Sequence, residues 1–152
     1  MLTALLESCL LAEEQAIAIY EAEIFLLRLT PLTAQRRLTL ELCLDIVAEE
    51  RVHRGEILNY SNDAFRPKVR IAISRFAGHL LGVALSLIPS RASWRIHSWA
   101  EQQAAEIYRA CAQKLAADSP ALTSMRQAEF QEQEHSRRFS QLLSGRSETR
   151  SF

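Results

Sequence analysis

A chain of 152 residues with 48% hydrophobic and 24% charged residues can fold as one domain with a real core, and four Gly and four Pro leave little to interrupt helices. The formal net charge is zero and there is no basic tract, so a nucleic-acid partner has no electrostatic footprint here. No run alternates apolar and polar residues between Gly-rich turns, which excludes a sheet and predicts a single all-α domain over 1–152. Cys9, Cys43 and Cys111 lie far apart inside helical patterns with no CxxC pair. They predict buried, reduced thiols in a reducing compartment, and exclude a structural zinc site. The segment Met1-Leu2-Thr3-Ala4 lacks the basic start of a signal peptide.

The first helix is expected from a cap at Thr3 to just before Pro31. Leu6, Leu10, Glu13, Ile17, Tyr20, Ile24 and Leu27 alternate by four and three, an unbroken packing seam. Glu13 is its one charge. A carboxylate there is costly unless something pairs with it, or unless the seam frays towards water at that point. Glu14, Glu21 and Glu23 fall off the seam and are expected in solvent.

A second helix follows Pro31, capped by Thr33 and ending near Tyr60. Thr39, Cys43, Ile46, Glu50, His53, Ile57 and Tyr60 form its seam. Glu50 and His53 stand three apart, so both can face one ion. Glu49 is a rival inward carboxylate, but the three-residue spacing favours Glu50.

The stretch 67–88 differs in character. Arg66-Pro67-Lys68 and Arg70 precede a strongly apolar run in which Arg75 and His79 are the polar interruptions. The uninterrupted apolar part after His79 is too short for a membrane span, and the pattern fits two readings equally: an amphipathic helix lying on a membrane, with Lys68, Arg70 and Arg75 near the head groups, or a helix buried in a core or against a partner. His79 reads as an incidental polar residue.

Ser90 is the expected cap of the next helix, whose seam is Trp94, Ser98, Glu101, Ala105, Tyr108, Ala112 and Leu115. His97, one turn before Glu101, reads as its partner or as a packed or exposed residue. Asp118-Ser119-Pro120 separates this helix from the last, with Ser119 as cap and Pro120 in the first turn. Met125, Ala128, Glu132, His135, Phe139 and Leu142 make the final seam, which fades into a polar tail from about residue 144.

The two halves repeat. Glu13 and Tyr20 are separated as Glu101 and Tyr108 are, and each pair is followed by a helix with Glu-x-x-His. Two helix hairpins related by an approximate twofold bring four carboxylates and two imidazoles together. Four negative charges match two divalent ions, and carboxylates can bridge them. Without metal, the cluster repels itself and its pKa values shift.

With these residues in hand, the chain resembles the ferritin-like di-iron carboxylate proteins through Glu13, Glu50-x-x-His53, Glu101 and Glu132-x-x-His135. More narrowly it resembles the demethoxyubiquinone hydroxylase family, which has a membrane-facing Leu- and Gly-rich helix where Leu80-Leu81-Gly82-Val83-Ala84-Leu85 stands here. The resemblance implies a ferritin-like four-helix bundle with the 67–88 helix added between the hairpins. It implies Glu13, Glu50, His53, Glu101, Glu132 and His135 as ligands of two iron ions, with manganese as the other metal such ligands accept. It also implies an oxygen-dependent monooxygenase that hydroxylates a polyprenyl benzoquinol in ubiquinone synthesis. The protein would then sit in the cytoplasm against the inner face of the cell membrane, docked through 71–88, as a homo-oligomer or within a quinone-biosynthesis complex. Tyr108 takes a family position beside the site, as a quinone contact, an electron relay or a packing residue. Ile107 stands where the family commonly has His, and Gln102 where it has a second Glu. The broader group also includes iron oxidases and peroxide scavengers, and a scaffold without turnover would keep the same ligands.

Overall fold

The computed structural model describes residues 2–60 and 68–145, with side chains from Ala4 onward. Thr3, the expected cap, is already helical, while the linker with Arg66 and Pro67 and the tail beyond Gly145 lie outside the described residues. Among the described residues five helices run in order: α1 (Leu2–Leu29), α2 (Ala34–Tyr60), α3 (Lys68–Leu87), α4 (Ser90–Ala112) and α5 (Pro120–Ser144). There is no strand among the described residues. The chain is all-α, as composition and periodicity require.

The helix starts follow local chemistry. The Thr33 hydroxyl accepts from the Arg36 backbone N–H at 3.2 Å, the expected cap of α2. Ser119 occupies the cap of α5 with Pro at N1, but its side chain makes no capping bond. At α4 the expectation is off by one residue. Pro89, in an extended conformation, is the cap, and its carbonyl accepts from the N–H groups of Ala92 and Ser93, so Ser90 is already helical. That helix also stops before Leu115. Lys114 and Leu115 donate to Cys111 and Ala112, which tightens the chain into turns before Pro120.

Helices α1, α2, α4 and α5 form the bundle. Arg51 meets Glu21 and Arg54 meets Glu14 across the antiparallel α1–α2 pair. Arg91 reaches Leu143, and Arg109 reaches Glu129, across the antiparallel α4–α5 pair. Helix α3 runs parallel to α1 along its outer side. Gly78 and Gly82 sit so close to α1 that an added Cβ would collide with the backbone carbonyls of Gln15 and Ile19. Ala18 and Ala22 complete this track of small residues, four apart on both helices.

Two acidic residues of α1 are not in solvent, and only one of them is covered by the third helix. Glu14 and Glu23, expected there, are buried. Because α3 covers the face of α1 turned away from the bundle, α1 has little solvent side left. Glu14 is satisfied by Arg54 of α2 at 2.6 Å and Arg75 of α3 at 3.6 Å. Arg70 pairs with Glu7. Two of the three cations expected near lipid head groups therefore pair with α1. His79 is exposed and bonds the Arg75 carbonyl.

Only Gly78, Gly82 and Leu85 of α3 are buried. Its opposite face shows Val69, Ile73, Phe76, Leu80, Val83 and Leu87 to the outside, spaced alternately by four and three. Taken whole, and against the expectation from its apolar part after His79 alone, helix α3 is long and apolar enough by length and composition to cross a membrane.

Two apolar cores fill the bundle. One gathers Leu6, Leu10, Ile57, Tyr108 and Met125; the other gathers Ile17, Ile24, Ile46, Trp94 and Phe139. The three cysteines are free and buried in these cores. The seam residues of all four bundle helices point inwards, and the layer between the cores is polar.

Candidate metal centre

That layer is formed by the interruptions of the four seams. Glu13 comes from α1, Glu50 and His53 from α2, Glu101 from α4, and Glu132 and His135 from α5; each is at most 4% exposed. His53 Nδ1 lies 3.1 Å from Glu132 Oε1, 3.7 Å from Glu50 Oε2 and 3.8 Å from Glu13 Oε1. His135 Nδ1 lies 3.4 Å from Glu50 Oε1, 3.5 Å from Glu132 Oε2 and 3.8 Å from Glu101 Oε2. Glu50 and Glu132 thus turn one oxygen to each side, while Glu13 and Glu101 serve one side each.

These side chains make two four-residue groups, Glu13–Glu50–His53–Glu132 and Glu50–Glu101–Glu132–His135. In each group the ligand atoms lie within 4.8 Å of one another. Each group could hold a metal ion, and the shared carboxylates could bridge the pair. The buried side-chain atoms without a hydrogen-bond partner among the described residues support this. They are Glu13 Oε2, Glu50 Oε1, His53 Nδ1, both Glu132 oxygens and His135 Nδ1, all within this cluster. Buried polar atoms of that kind cost about 1–3 kcal/mol each when unmet, so their concentration in one place fits a site that could take a metal ion.

The electrostatics show the same need. Burial pushes Glu13 well above the usual carboxylate range, and the neighbouring Glu50 and Glu132 add to it. Burial also raises Glu101, only partly opposed by its bond to His135. Burial disfavours charge on His53, yet Glu132 and Glu50 override it and push the imidazole up to about 10. His135 is raised further by Glu101, Glu132 and Glu50 against the same opposition. Glu50 is held well below its usual range, despite burial, by both imidazoles. Without metal, protons hold this cluster together.

A second set of contacts orients the ligands. The Tyr108 hydroxyl donates to Glu13, and the Tyr20 hydroxyl donates to Glu101. Tyr108 is buried, with its ring edge-on to His53 at 5.9 Å. His53 Nε2–H donates to Gln131 Oε1 at 2.9 Å, and His135 Nε2–H donates to Glu49 Oε2 at 3.1 Å. Both acceptors fix the proton on Nε2 and leave Nδ1 facing the cluster. Glu49 is therefore outside the cluster rather than a rival to Glu50. Sequence reading missed Gln131 and this use of Glu49, although each stands one residue before a Glu of the repeated motif.

His97 pairs with Glu23 rather than with Glu101 among the described residues. It is buried, with Nε2 2.6 Å from Glu23 Oε2, and is stacked between Tyr20 and Phe139. Glu23 also accepts from Ser93 at 3.2 Å, which explains how this carboxylate tolerates burial.

A cavity of about 240 Å³ opens between α1 and α4 and reaches Glu13, Glu50, Glu101 and Glu132. Ala12 and Ala16 face Ala100 and Ala104 across it, while Leu81, Trp99 and Ile107 add apolar walls. Tyr20 and His97 line it too. The cavity exists because both facing helices carry alanine at positions four apart, where larger side chains would close the gap. No family model matches the chain, and no curated protein or solved structure matches it either.

Proposed function

We propose that the protein is a ferritin-like di-iron monooxygenase that hydroxylates the ring of a lipid-tailed benzoquinol, like the demethoxyubiquinone hydroxylases it resembles. The observation that carries this reading is the alanine-walled cavity ending on the four carboxylates. Its size and apolar lining suit a substituted ring, and leave an isoprenoid tail outside. An iron oxidase needs a polar path for ions instead.

In this reading Glu13, Glu50, His53, Glu101, Glu132 and His135 hold two iron ions; manganese is the competing metal. When bound, ferrous iron supplies the chemistry that reduces O2. The net change is ring C–H plus O2, two electrons and two protons, giving ring C–OH and water, with the electrons from an external two-electron donor. The residues of the chain do the remaining work. Ala12, Ala16, Ala100 and Ala104 keep water from the ring, and Gln15 and Gln103 offer amide groups to its oxygens. Tyr20 and Tyr108 hold Glu101 and Glu13 in place. The outer face of α3 and Trp99 rest on the inner surface of the cell membrane, beside the cavity mouth, so that a lipid-tailed ring enters without crossing water.

The test is anaerobic loading with ferrous iron, then addition of a demethoxyquinol, a reductant and O2. The expected product is heavier by one oxygen atom, and Glu132→Ala abolishes both it and iron uptake. Rapid iron or peroxide turnover with an unmodified ring would assign the protein to the iron-oxidase group. Iron binding with no turnover of any kind would leave a scaffold.

A further inference from the structure

Glu49 and Gln131 occupy equivalent places, each one residue before a carboxylate shared by the two metal positions. Each reaches across to the imidazole of the opposite helix, Glu49 to His135 and Gln131 to His53. They differ in charge. Elsewhere in the ligand layer the two halves match: one unshared carboxylate per side, the same two shared carboxylates, one Nδ1 per side, and one tyrosine donor on each unshared carboxylate.

We propose that Glu49 is a positioning residue that makes the two metal positions unequal, so that the ion beside His135 binds first and the ion beside His53 binds second. The inference rests on the metal-centre reading. A carboxylate behind an imidazole raises the electron density that its other nitrogen offers a metal, whereas a neutral amide only orients the ring. Glu49 stands at the edge of the layer, with Oε1 3.6 Å from Arg138 and Oε2 turned to His135 at 3.1 Å. The difference between the two backing groups falls in the range of about 10–100-fold in metal affinity that such outer partners control.

The experiment is an anaerobic titration of the metal-free full chain with Co2+, followed by calorimetry and by the visible absorption of the bound ion. The expected wild-type result is two resolved steps. Glu49→Gln makes both backing groups amides and weakens the first step by about ten-fold, with the second step nearly unchanged. Gln131→Glu makes both carboxylates and tightens the second step by a similar factor, with the first nearly unchanged. A loss of folding would weaken both steps in either variant, and cannot tighten one. Two ions bound, with step affinities unmoved or moved together by both variants, would overturn the inference alone. No Co2+ bound by the wild type would overturn the metal centre as well.

Discussion

The Tyr108 hydroxyl donates to Glu13, and the residue equivalent to Tyr108 in the other half, Tyr20, donates to the equivalent carboxylate, Glu101. Each tyrosine therefore serves the hairpin it does not belong to. The two halves are locked across α1 and α4 by a reciprocal pair of buried bonds. Tyr108→Phe leaves a buried carboxylate oxygen without its donor and should cost about 1–3 kcal/mol in denaturant unfolding of the metal-free protein. Tyr20→Phe should cost a similar amount, because Glu101 is equally buried. An effect in only one of the two variants would contradict the twofold.

The metal-free protein should lose stability as pH rises above neutral. His53 has an ordinary value near 6.5 when unfolded and about 10 when folded. A group raised on folding contributes fully below its unfolded value and loses that contribution as pH climbs through its folded value. Glu13 and Glu101, also raised, act in the same direction. Glu50, lowered on folding, removes stability as pH falls below about 4.5. Melting temperatures in chelator should therefore peak in the mildly acidic range and fall steadily towards pH 10. Ion affinity should move the other way, rising with pH, because metal displaces the same protons. A melting temperature flat between pH 6 and 10 would show that the cluster does not hold protons.

Filling the cavity should separate substrate access from metal binding. Ala104→Phe places a ring in the slot between α1 and α4. Ion stoichiometry should stay at the wild-type value, while ring hydroxylation should fall by at least about ten-fold, a barrier change of roughly 1.4 kcal/mol. Hydroxylation at the wild-type rate would mean that the substrate reaches the carboxylates by another route.

Helix α3 should depend on its glycines. Gly82→Ala gains about 1 kcal/mol of helix propensity, but the new methyl meets the Ile19 carbonyl and the Ala22 side chain, which cannot yield cheaply. Overpacking of that kind costs about 1–3 kcal/mol, so the net effect should be destabilising, with protease cleavage at α3 increased. Gly55, with nothing near an added Cβ, should accept the same change and become more stable.

On the outer face of the same helix, Phe76→Asp should reduce co-sedimentation with anionic vesicles several-fold without altering the melting temperature, since the ring is 66% exposed. Unchanged co-sedimentation would remove α3 from any membrane contact.

The bundle was legible in the sequence because its signal is periodic. Every charged residue in a seam, Glu13, Glu50, Glu101 and Glu132, is buried in the layer that the spacing indicated. The fate of Glu14 and Glu23 was not legible: α3 covers Glu14 on a second face of α1, and Glu23 finds Ser93 and His97 on α4, partners that a single-helix seam does not contain. Gln131 and the role of Glu49 were hidden for a related reason. They act across the bundle on the other helix's imidazole, a pairing that no single-helix spacing contains. The early end of α4 depends on turn bonds whose residues, Gln113 to Asp118, carry no strong breaker before Pro120.

The contact of α3 with α1 has one more consequence, for how the chain can change. Helix α1 carries a ligand and a tyrosine clasp on one side, the small-residue track on the other, and buried Glu14 and Glu23 among them. A saturation library should therefore find α1 the most intolerant helix, with substitutions rejected around most of its circumference. The outer face of α3 should accept almost any residue as far as folding is concerned, and only selection for function would reveal its purpose. Comparing the two maps would separate what keeps this protein folded from what it touches.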